Sequence, residues 1–170
     1  MMRNSMGFVL RSGIMGSLLS TAVLMVAARM EGRGVAAPLN GTSHWLWGAK
    51  AGRRDGIDLR HTGLGAATQH LSAMFWGLFY GLWAANGREK TPRELAMGGM
   101  AMAGIAGAVD YGLMPRRLTP GWEHALSRGA VVAGLAGLGA GLALGGISAA
   151  SSMRREARGA GARRPGRPGG

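Results

Sequence analysis

The chain has no cysteine, which excludes a disulfide framework, a thiolate zinc or iron–sulfur site and a thiol nucleophile. Large aromatic core material is scarce, with three phenylalanines and two tyrosines in 170 residues. Acid is scarce too, eight Asp and Glu standing against twenty Lys and Arg. With 32 glycines, the chain is poorly supplied for a water-soluble enzyme core packed from large side chains. No Walker loop, dinucleotide fingerprint, HExxH motif or nucleophile elbow occurs, and the glycines lack the strand-to-helix setting that a phosphate loop needs. Neither an enzyme nor a bound cofactor is expected.

What is present is an alternation of long charge-free runs with basic clusters. Ser12 to Ala28, His61 to Gly87 and Gly129 to Met153 carry no charge, and Leu95 to Pro115 carries only Asp110. Runs of this length cross a bilayer as helices, because lipid cannot satisfy a bare backbone. The expected fold class is therefore all-α, an integral membrane bundle of four transmembrane helices with spans at about 8–29, 66–86, 95–114 and 129–149. Residues 1–150 make the four-helix domain and residues 151–170 a disordered basic tail. A cleaved secretory signal is the alternative for the first run, with Val35, Ala36 and Ala37 as the small residues of a cleavage site. Arg11 interrupts its start and Pro38 follows at once, which favours a retained span.

Apolar side chains gain nothing by leaving hydrocarbon for one another, so helices in lipid associate where small residues let their backbones approach. Ala133, Gly137, Gly141 and Gly145 form one such series, and Gly13, Ser17 and Gly16, Ser20 two shorter ones. Bundle packing is the expected use, and a homo-oligomer contact through the fourth span is the alternative.

Four spans put the N-terminus, the second loop and the tail on one side with eleven basic residues, against nine on the other. The positive-inside rule then places both termini in the cytoplasm of an inner membrane. Trp45, Trp47 and Trp122 are expected at headgroup depth. In the tail, Arg154, Arg155, Arg158, Arg163, Arg164 and Arg167 would attract anionic lipid. With no aromatic side chain interleaved for base stacking, no specific nucleic-acid partner is expected despite the net charge of +12.

Inside the spans, Asp110 is the one acid, and an ionisable group there is a functional candidate by default. His70 and Asp110 lie equally far from the turn near Lys90, so antiparallel helices would hold them at similar depth. Arg128, at the mouth of the fourth span, competes as the partner of Asp110. The small-residue stripes His70, Ala73, Gly77, Gly81, Ala84 and Gly99, Ala103, Ala106, Asp110 are expected to face each other. Metal or haem binding finds little support. His44, His61, His70 and His124 share one predicted side, but none has tight ligand spacing and only His70 is in a span, while Met97, Met100 and Met102 read as apolar filler.

The segment Asp110 to Glu123, with Pro115 ending the span and Thr119-Pro120-Gly121 as a turn, is the most individual stretch. Together with Asn40 to Gly48 and Arg60-His-Thr-Gly63 it resembles small four-span inner-membrane proteins of proteobacteria, a group with no defined function. The resemblance runs over most of residues 8 to 150 and implies membrane location alone. The expected role is structural or accessory, and the alternative is a small transporter or ion-channel component using the His70 and Asp110 pair.

Overall fold

A computed structural model of the chain describes residues 2–162. The fold is all-helical, with no strand among the described residues. In chain order the helices are α1 (Met2–Met30), α2 (Ala37–Thr42), α3 (His44–Trp47), α4 (Leu64–Ala85), α5 (Pro92–Ala108) and α6 (Arg128–Ala162). The four long ones coincide with the four charge-free runs. Two of them, over Met6–Met30 in α1 and Arg128–Gly159 in α6, are long and apolar enough to cross a membrane, with mean hydropathies of 1.6 and 1.9.

Local chemistry sets the helix ends. α5 starts at a capping box, the Thr91 hydroxyl accepting from the Glu94 amide while the Glu94 carboxylate accepts from the Thr91 amide, with Pro92 at the first helical position. At its other end α5 widens into a π-helical turn, Val109–Leu113, and Met114 leaves it in an extended conformation because Pro115 follows.

α1 and α6 form the closest pair, α4 packs chiefly on α1 and α5 chiefly on α6, and α4 and α5, although a short turn joins them, touch each other far less than they touch those partners. This corrects the expectation that the small stripes of those two helices face each other. A Cβ on Gly77 would lie 3.0 Å from the Gly13 Cα of α1, and one on Gly99 would lie 2.9 Å from the Ala143 amide nitrogen of α6. The reason is that α1 and α6 each carry small residues on more than one face, so α4 and α5 both find a closer fit there than against each other. Gly137, Gly141 and Gly145 turn to α1. A Cβ would come within 2.6 Å of the Gly16 Cα from Gly141 and of the Ser12 Cα from Gly145. The glycine series is thus used within the chain, and Ala133 beside it is half-buried.

Side-chain size is distributed from the inside out. Ser12, Ser17, Ser20, Ala103 and Ala106 are buried, with Phe8, Leu24, Trp76, Tyr80, Leu95, Leu138 and Leu142 as the large anchors among them. Leu18, Leu71, Leu82, Met97, Ile105 and Leu144 stand exposed on the outer surface. Two of the buried hydroxyls bond backbone carbonyls of neighbouring helices, while Ser12 Oγ is buried without a hydrogen-bond partner among the described residues. Ser20 Oγ donates to the Gly134 carbonyl at 2.9 Å and Tyr80 Oη donates to the Leu95 carbonyl at 2.7 Å.

The first connection is no open loop. It folds with the third connection into a cap over one end of the bundle, because buried polar side chains tie its turns together. Asn40, fully buried, donates from Nδ2 to the carbonyls of Arg54 and Gly56, both at 2.9 Å, and accepts from the Thr62 hydroxyl at 2.6 Å. Arg33 pairs with Asp55 at 2.9 Å and donates to the carbonyls of Ala125 and Gly52. Gly121, at φ +88, adopts a backbone that L side chains rarely take, and a Cβ on Gly41 would lie 2.6 Å from its carbonyl oxygen. The two connections therefore meet backbone to backbone.

At the opposite end, α6 continues through Arg154, Arg155 and Arg158, where disorder was expected. The segment from Met153 to Arg158 is made of good helix formers, and Arg154 is held to Glu89 at 2.8 Å and Ser152 to Arg11 at 2.7 Å. Lack of core-forming residues does not prevent a helix that grows from one already packed. Arg163, Arg164 and Arg167 lie outside the described residues.

Candidate functional site

A crevice of about 470 Å³ lies between α4 and the π-helical turn after α5, within the size range of small-molecule sites. α4 supplies one wall through Thr68, Gln69, Ser72, Phe75 and Trp76, and the π-helical turn after α5 supplies Asp110 opposite. Leu135 and Leu138 of α6 make the floor, and Trp45, Pro120 and Trp122 of the cap make the roof. Leu71, Phe75, Met114 and Leu118 line the crevice while remaining exposed, so it opens onto the apolar outer surface. The single π-helical turn matters here: it displaces Asp110 from the regular helical register at the mouth of the cavity.

The roof is fixed by hydrogen bonds. Trp45 Nε1 donates to the Thr119 carbonyl at 2.9 Å, and Trp122 Nε1 donates to Gln69 Oε1 at 3.2 Å. Gln69 Nε2 reaches Ser20 Oγ at 3.4 Å, which links the cap through α4 to α1 and, by the Ser20 bond, to α6. Trp122 is accordingly buried, 4% exposed, where an exposed anchor at headgroup depth was expected. Its indole N–H needs a partner, and the amide of Gln69 offers a better one inside the fold than the surface does. Trp45 and Trp47 do stay at the surface. The Arg60 guanidinium lies 3.8 Å from the Trp47 ring centroid, and Trp47 Nε1 donates to the Arg60 carbonyl at 3.1 Å.

The expected cluster of His70, Asp110 and Arg128 is not assembled. Asp110 and His70 are both half-buried, but His70 is absent from the crevice lining, Arg128 is exposed, and no hydrogen bond or ion pair joins any two of them among the described residues. Equal distance from the turn fixes depth but not azimuth, and the packing of α4 on α1 turns His70 away. Gln69, one residue earlier, occupies the central place instead. A neutral polar residue in a charge-free run was the available clue, and a search for ionisable groups passes over it.

Behind the roof, His44 is buried with its ring 4.9 Å from that of His124, and Glu123 lies 3.7 Å from His124 Nε2. His44 Nδ1 faces the Gly41 carbonyl at 3.1 Å, while Nε2 is buried without a hydrogen-bond partner. Burial, and then the neighbouring His124, hold the His44 imidazole below its ordinary pKa. Among the described residues no group of three or more His, Asp or Glu side chains is placed to hold a metal ion.

Comparison with protein-family models, curated proteins and solved structures returned no match.

Proposed function

We propose that the chain is an integral protein of the bacterial inner membrane, crossing the bilayer four times with both termini in the cytoplasm, in a structural or accessory role rather than a catalytic one. The observation that carries this reading is the inverted distribution of side-chain size. A water-exposed surface belt of Leu18, Leu71, Leu82, Met97, Ile105 and Leu144, around helices that meet at seams of serine, alanine and glycine, would be an aggregation hazard in solution. In hydrocarbon the same belt costs nothing, and small residues are what bring the helices together. α4 rises about 33 Å over its 22 residues, close to the roughly 30 Å of a bilayer core. The excess of basic residues on the side of the N-terminus, the α4–α5 turn and the tail supports the orientation. An accessory role is supported by the way the buried polar groups of Ser20, Gln69, Trp122 and Tyr80 are used up within the fold, the first three bonding in a chain and Tyr80 donating to the Leu95 carbonyl.

The chain has no cysteine of its own, so single-cysteine variants test the topology cleanly. Lys90→Cys and Arg158→Cys should react with an impermeant maleimide from the cytoplasmic side and Lys50→Cys from the other. Labelling of all three from one side would refute the four-span reading.

A further inference from the structure

We infer that the crevice between α4 and the π-helical turn after α5 is a binding site for an amphiphilic cation, an ammonium head against Asp110 with an alkyl chain along the apolar wall. This assignment rests on the four-span reading, because the mouth of the crevice then opens sideways into lipid, where such molecules concentrate.

Three observations select this chemistry. The first is charge: Asp110 is the only ionisable side chain lining the cavity. Among the described residues no ion pair reaches its carboxylate, every ion pair being made elsewhere, and the group within hydrogen-bonding reach of it is the neutral indole of Trp76. Arg116, Arg117 and Arg128 stand exposed nearby in the chain without pairing to it. A carboxylate in an apolar recess attracts a cation and repels an anion, and ionisable residues at membrane depth commonly serve as ligand counter-ions.

The second is the aromatic lining. Trp45, Trp76 and Trp122 all border the same space, and the N–H groups of Trp45 and Trp122 are already committed to Thr119 and Gln69. What remains available from those two indoles is ring surface, which binds quaternary and primary ammonium groups through the ring quadrupole. The third is the rest of the wall: Leu71, Phe75, Met114 and Leu138 are apolar, and the first three reach the outer surface. A hydrophilic cation such as a metal ion or a polyamine would leave that surface unused, and among the described residues no group of three His, Asp or Glu side chains includes Asp110. A chain attached to the ammonium fills it.

The test uses the full chain in uncharged maltoside micelles. The protein is titrated with dodecyltrimethylammonium brominated in its tail and, separately, with dodecyl maltoside brominated likewise, reading contact quenching of tryptophan fluorescence. The cationic probe should quench saturably, at least tenfold below the concentration at which the uncharged probe quenches to the same extent. Asp110→Asn, an isosteric change, should raise the midpoint for the cation at least tenfold and leave the uncharged probe unchanged. Ser72→Phe, which keeps the carboxylate but fills the recess, should also abolish saturable quenching, and His70→Gln should change nothing. Equal quenching by the two probes, or an unaltered midpoint in a folded Asp110→Asn variant, overturns the assignment.

Two sources could supply the ammonium, a phosphatidylethanolamine headgroup or a free amine. Repeating the titration in nanodiscs of phosphatidylglycerol with and without phosphatidylethanolamine separates them, since only the lipid source makes the phosphatidylethanolamine-containing membrane compete. Failure of the four-span reading would look different, as protein recovered from broken cells in the aqueous fraction without detergent.

Discussion

The bundle and the cap are held together by opposite means. Along the α1–α6 seam, Gly141 and Gly145 let two backbones touch and only isolated hydroxyls such as Ser20 bond across it. In the cap, Asn40, Arg33 and Asp55 cross-link short helices and the turns between them. The difference follows from the two solvents proposed for them. Where lipid surrounds the helices, apolar area supplies no net drive and fit decides the arrangement. Where water is near, irregular backbone needs partners for its carbonyls, and a buried amide side chain supplies them.

The largest effect should come from filling the seam. Gly141→Leu places side-chain atoms against the Gly16 backbone, which cannot move without parting the helices. We expect a loss of about 3 kcal/mol or more, at the upper end of overpacking, read as loss of the thermal transition in detergent. In the cap, Asn40→Ala strands the Arg54 and Gly56 carbonyls and the Thr62 hydroxyl. Stability should fall by about 1–3 kcal/mol, with increased hydrogen exchange over residues 49–63 and none over α1 or α6. Both regions share the Ser20, Gln69 and Trp122 chain, so Gln69→Leu should cost about 1–2 kcal/mol and loosen both at once.

Acid should separate the two regions further. Protonating His44 would place a charge in a buried site, and its lowered pKa means that stability is complete above the ordinary value near 6.5 and falls as the pH drops below it. Asp55 is held below its usual range first by the Gly34 amide and then by Arg33, and Asp58 first by the His61 amide and then by its ring. Their contribution is complete above about pH 3.8 and is lost as the pH falls through their lowered values. Cap tryptophan fluorescence should therefore change in two steps on acidification, with His44→Gln removing the upper one, while helix content measured by circular dichroism holds through both. The smallest effect is expected at Leu144→Ala on the outer surface, within about 0.5 kcal/mol.

The four long helices were legible because each is built around a long run carrying at most one charge, and a capping box and a proline bound the α5 stretch. Their neighbours were not. A stripe of small residues shows that a helix can be approached closely, but α1 and α6 offer such stripes to two neighbours each, and sequence spacing does not say which is taken. Asp110 was legible as the lone acid, and the crevice it lines was not, since that depends on how α4, α6 and the two connections come together around it. The cap escaped entirely: Asn40 is an ordinary turn residue until Arg54, Gly56 and Thr62 are brought around it. Trp122 was misplaced for a related reason, its partner Gln69 lying far away in the chain.

The most direct test of the inverted packing is spin-label accessibility in lipid nanodiscs, with single cysteines in turn at Leu18, Leu78, Ile105 and Val132, one exposed position on each long helix. The expected result is high collision with dissolved oxygen and low collision with a water-soluble nickel chelate at all four. Ready access of the nickel chelate to the labels on α4 and α5, with α1 and α6 alone protected, would contradict a bundle that meets lipid on all four helices.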